Sequence, residues 1–86
     1  MYTEGEFRYF SDTLGTSEFA EEVRVLIGFN EFDYMPGEYV IVSVVLHKSD
    51  RLVLQHCIPE EELLIIDRIA EYYIDQHIGR IRSIWD

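Results

Sequence analysis

A single cysteine, Cys57, leaves this chain with no possible intrachain disulfide. Long apolar runs are missing as well. The longest near the middle, Val40 to Leu46, is interrupted by Ser43 and is far too short to cross a bilayer, so no membrane association is expected. The first six residues, Met1 to Glu6, lack a basic segment followed by an apolar stretch, and no signal peptide is expected. One thiol and no export signal point to a reducing, cytoplasmic setting. No internal repeat, low-complexity tract or linker divides the 86 residues, which suit one domain, 1–86. Positive charge is scarce: seven Lys and Arg stand against 17 Asp and Glu, for a net charge of −10. That field repels phosphate and excludes direct nucleic-acid binding. It favours solubility and attraction to basic surfaces.

Catalytic and metal-binding patterns are also lacking. The five glycines form neither a Gly-x-Gly-x-x-Gly nor a P-loop pattern. His47, His56, Cys57 and His77 show no ligand spacing, and no metal or other cofactor is expected. His56 and Cys57 adjoin in a segment that reads as a strand. Their side chains are therefore expected on opposite faces, and they do not form a nucleophile–base pair. His77, near an expected helix end, suits the dipole there. A domain this small lacks the walls to desolvate a carboxylate pair. The chain reads as a non-enzyme.

What is present suits a compact core. Hydrophobic residues make up 48% of the chain, too many for disorder despite the charge. Glu6 to Ser11 reads as a short strand with Phe7 and Tyr9 on one side. From Glu22 to Phe32, the residues Val23, Val25, Ile27 and Phe29 alternate as in a strand. A helix opened by Ser17 and running to Asn30 is the competing reading, with strand favoured after Val23 by β-branched content. Pro36-Gly37 suits the centre of a type II turn. Tyr39 to His47 is the strongest strand, apolar on both faces and expected to be covered on both, at least partly. A turn at Lys48 to Arg51 returns the chain antiparallel through Leu52 to Cys57. Pro59 suits a helix's first turn, with Glu60, Glu61 and Glu62 complementing the dipole. Leu63, Ile66, Ala70, Tyr73 and His77 mark its apolar stripe, flanked by Ile69 and Ile74, and Gly79 suits its end. The expected fold is α+β: a three- or four-stranded antiparallel sheet with a C-terminal helix packed on one face.

Two acidic groups are candidates for partner binding. Asp67, Glu71 and Asp75 recur every four residues and line one helical face. Like charges so spaced slightly destabilise an isolated helix, and such a row can imitate phosphates. It can equally be a solvated face, eased by Arg68. The second group is Glu18, Glu21, Glu22, Glu31, Asp33 and Glu38, interleaved with Phe19, Phe32, Tyr34 and Tyr39. Aromatics among charges suit a protein-binding patch. Phe19 and Phe32 fit the core better, whereas Tyr34, beside Pro36 in a loop, is the better exposed candidate. Residues 1–38 hold nine acids and two basic residues, and residues 39–86 hold eight and five, so the acidic surface is expected to concentrate in the first half.

The order of elements after Val23, with Tyr34-Met35-Pro36-Gly37-Glu38 preceding an apolar hairpin and an acid-capped helix, resembles small accessory proteins encoded by phages. The resemblance covers roughly residues 23–78 and rests on element order and the Pro-Gly loop. It implies an anti-defence role of the anti-CRISPR or DNA-mimic kind, exerted in the host cytoplasm. The expected function is a non-enzymatic inhibitor. Its acidic surface, including Tyr34, would dock on the basic nucleic-acid site of a host protein such as a defence nuclease. The alternative is a structural or assembly subunit whose charge only confers solubility. Apolar residues beyond Gly79, namely Ile81, Ile84 and Trp85, together with one of the sheet or helix faces, suit a homodimer interface.

Overall fold

The computed structural model describes residues 2–14 and 20–85, with side chains described as far as Gly79. Four strands are followed by one helix: β1 Thr3–Ser11, β2 Glu21–Phe29, β3 Tyr39–Leu46, β4 Arg51–Leu52 and α1 Glu60–Trp85. The strands form one antiparallel sheet in the order β1-β2-β3-β4, each paired with its neighbour in sequence. This is the expected α+β architecture.

Alternation along β2 organises the core. Val23, Val25, Ile27 and Phe29 are completely buried on the face that α1 covers, which decides for strand over helix in residues 21–29. The strand pairings extend this layer sideways: Phe7 and Tyr9 of β1 stand opposite Val25 and Val23, and Val44 and Leu46 of β3 stand on their other side. From the helix, Ile66, Ala70 and Ile74 are completely buried, with Leu63, Ile69, Tyr73 and Ile78 packed alongside. The stripe thus centres on Ile66, Ala70 and Ile74 rather than on Tyr73 and His77. Each large side chain so buried is worth about 1.5–3 kcal/mol.

Turn chemistry sets the connections. The Glu38 amide donates to the Met35 carbonyl at 2.9 Å and Gly37 has φ +88°, as a type II turn over Pro36-Gly37 requires. Asn30 opens that loop by accepting the Phe32 amide on its side-chain oxygen at 3.1 Å. At the helix start the Pro59 carbonyl accepts from the Glu62 and Leu63 amides, both at 3.0 Å.

Several expectations need correction. Strand β3 is covered on one face only: Val40 and Val42 are about half exposed, at 52% and 49%, because α1 is the sole second layer among the described residues. The hairpin's return strand ends at Leu52. His56 and Cys57 lie in a 3-10 turn, Gln55–Cys57, not on opposite faces of a strand. Phe32 is 82% exposed rather than in the core, since β2 ends at Phe29 and the chain turns away. Gly79 does not stop the helix, which continues to Trp85; one glycine in a helix interior costs only about 1 kcal/mol. His77 is therefore within the helix and not at its end.

Candidate acidic docking surface

The loop between β2 and β3 folds back on α1 and is fastened there by three hydrogen bonds, with a fourth from the first residue of β3. Tyr34 donates its hydroxyl to Glu71 Oε2 at 2.7 Å, and the Gly37 amide donates to Glu71 Oε1 at 2.7 Å. Tyr39 donates to Asp67 Oδ1 at 2.6 Å. His77 Nε2 and Glu31 Oε2 are 2.8 Å apart. Aromatic edges support the same junction, with Tyr34 and His77 both set edge-on to the buried Phe29 ring at centroid distances of 6.2 and 5.4 Å.

The type II turn is what aims the Gly37 amide at the helix. The four-residue spacing of α1 places Asp67 one turn before Glu71. Burial, reinforced by the Glu71 hydrogen bond, raises the Tyr34 pKa well above its ordinary 10.0; burial and the Asp67 bond do the same for Tyr39. Both phenols are therefore proton donors at neutral pH. The His77 hydrogen bond lowers the Glu31 pKa below its ordinary 4.5, so that carboxylate stays ionised.

The two acidic groups separated in sequence are thus joined in part: Tyr34 of the loop bonds Glu71 of the helix, and Glu31 bonds His77. Asp33, Glu38 and Asp75 are exposed, whereas Glu71, Tyr34 and Glu31 are partly buried. Glu71 holds the loop and Asp67 the first residue of β3, as well as contributing charge, a role invisible in their spacing alone.

Glu21 and Glu22 stand apart, at the opposite end of the nine-residue β2 from Phe29 and this loop, a separation of roughly 27 Å along the strand. Glu22 there lies 3.7 Å from Arg8 and 3.9 Å from His47. Glu18 falls outside the described residues, as do the side chains of Ile81, Ile84 and Trp85.

One buried acid escaped the reading of sequence. Glu62, only 5% exposed, accepts from Ser11 and from Tyr9 at 3.3 Å. Ser11 Oγ in turn accepts the Leu14 amide at 3.0 Å. This bracket ties the helix start to the end of β1. Burial, then the Glu62 charge and hydrogen bond, raises the Tyr9 pKa. Nothing in the triple Glu60-Glu61-Glu62 singles out its third member, except that Glu62 lies four residues before Ile66 on the core stripe.

Among the described residues, no group of three His, Cys, Asp or Glu side chains is placed to hold a metal ion. No helix among these residues is long and apolar enough to cross a membrane. A shallow groove beside β4, lined by Leu46, Arg51, Leu52, Val53, Leu54 and Cys57, is mainly apolar. It lies away from the acidic surface. No protein-family model, curated protein or solved structure matches this chain.

Proposed function

We propose that this protein is a non-enzymatic inhibitor whose loop-and-helix acidic surface docks on the basic, nucleic-acid-binding surface of another protein. The observation that carries this reading is the fastening of the 30–38 loop to α1 through Tyr34, Gly37 and Glu71. It supports the reading because carboxylates held in place lose little conformational freedom on binding, and such preorganisation favours affinity. The charge also complements a partner that ordinarily receives phosphate, and steers the encounter over long range. A phage or other mobile element is the source that best suits such a role.

The test uses the exposed carboxylates that the fold does not need. Partners are captured from host lysate by the chain and by a triple variant, Asp33→Lys, Glu38→Lys and Asp75→Lys, across a salt series. Basic nucleic-acid-binding proteins should be retained by the parent chain, released by salt and lost to the variant. Capture that is indifferent to both salt and charge reversal would refute the electrostatic docking.

A further inference from the structure

The face of the sheet opposite α1 is built for contact rather than for water. Because Val23, Val25, Ile27 and Phe29 point to the helix, Leu26 and Gly28 point the other way. They are joined there by residues of β3. A β-carbon placed on Gly28 would lie 3.4 Å from Val40 Cγ2 and 3.8 Å from Val42 Cγ2, so both valines share its face. The register slips between Leu26, opposite Ser43, and Ile27, opposite Ile41, leaving Val42 as the extra residue of a bulge that pushes it outward. Val45, opposite Arg24, completes the patch. An antiparallel sheet with one solvated face ordinarily carries polar residues there.

We infer that this face packs against the same face of a second copy of the chain, making a twofold-symmetric sandwich of two sheets with the acidic surfaces outermost. Charge selects the occupant. On the open face Arg8 lies 3.6 Å from Glu6 and 3.7 Å from Glu22, and Arg24 is bonded to Asp50. Glu6 and Glu22 share Arg8 and Asp50 matches Arg24, so this face carries far less net charge than the whole chain. Two chains of net charge −10 can approach closely only through such a face, whereas the α1 side presents Asp67 and Asp75 and repels its own copy.

The whole open face, the charged residues of β1 included, approaches the area of a small interface. Strands of eight and nine residues, rising about 3.4 Å each and spaced about 4.8 Å apart, make a flat footprint of roughly 30 by 15 Å. Side-chain relief raises the accessible area above that footprint, toward the roughly 800 Å² per partner of a standard interface. Aligned sheets about 10 Å apart interdigitate such side chains, and a twofold axis lets one patch serve both copies.

Sedimentation velocity on the full chain over a concentration series tests this. The parent should dimerise at micromolar concentration. The double variant Val40→Lys and Val42→Lys, counted twice across the axis, should raise the dissociation constant by about 100-fold or more with an unchanged circular dichroism spectrum. If that variant misfolds, Ser43→Arg, which replaces a polar residue on the same face, should weaken the dimer alike. Leu64→Lys with Tyr72→Lys, on the exposed side of α1, should leave it intact, as should reversal of Asp33, Glu38 and Asp75. A parent that stays monomeric to high micromolar concentration, a dimer untouched by the sheet-face variants, or one lost only with the helix variant would overturn the inference.

Discussion

At Gly5 a β-carbon would stand 2.4 Å from Cε1 and 2.8 Å from Cζ of Tyr73. The Tyr73 ring also packs on Phe7, 6.2 Å between centroids, so it has little room to retreat. Gly5→Ala should destabilise the fold by about 1–3 kcal/mol, read as a lower urea midpoint, and Tyr73→Ala in the same chain should relieve much of the added loss. Gly37 is different: nothing lies within 4 Å, and its φ of +88° is the whole constraint. Gly37→Ala should cost about 1–2 kcal/mol through backbone strain alone, with no partner substitution able to rescue it. This glycine was legible from Pro36-Gly37, whereas the need at Gly5 arises only when a helix residue 68 positions later folds over it. Titration separates the hydrogen bonds. Tyr9, Tyr34 and Tyr39 have raised pKa values when folded, so the unfolded chain loses these protons first. Their contribution is complete below pH 10 and declines as pH rises beyond it. Replacing all three with Phe should flatten the alkaline limb of the stability curve. Glu31 runs the other way. Its lowered pKa contributes stability above its ordinary 4.5 that is lost as pH falls through the lower folded value, and His77→Gln should diminish that acid loss.

Strand β2 and helix α1 carry most of the fold. The helix was legible from its period near 3.6 along Ile66, Ala70 and Ile74, whereas β2 had a competing helical reading that only the β-branched content from Val23 onward weighed against. Ile66→Ala or Ile74→Ala should cost about 2–5 kcal/mol, measurable in denaturant, because each side chain is wholly buried between layers. Strand β3 was legible as a strand but not in its surroundings, since apolar residues on both faces cannot say whether a second layer exists. Its bulge beside Leu26 was equally hidden, being a property of the pairing rather than of either strand. The outer edge of the sheet is β1, where Glu4, Glu6 and Arg8 punctuate an otherwise open strand. Charges there discourage edge-to-edge pairing, which is a further reason to place self-association on the sheet's face.

Across the whole molecule the charge is segregated by the fold and not only by the sequence. Residues 1–38 hold the larger excess of acid, yet the proposed docking surface draws equally on α1, and Glu21 and Glu22 fall at the far end of the sheet. The acidic row at Asp67, Glu71 and Asp75 was readable from its spacing. Its bonding to Tyr34 and Gly37 was not, because it depends on which way the 30–38 loop turns after Phe29. A chain with one face acidic and the other partly apolar and of lower net charge can present two copies of its acidic surface while keeping them apart. Blocking nucleic acid is the consequence that matters for the proposed role. The most direct measurement takes a captured basic partner, loads it with labelled nucleic acid and titrates in this chain at physiological salt, following fluorescence anisotropy. Displacement should be complete and stoichiometric, and the Asp33→Lys, Glu38→Lys and Asp75→Lys variant should displace nothing. A ternary complex, with nucleic acid still bound when the partner is saturated by the parent chain, would contradict the account.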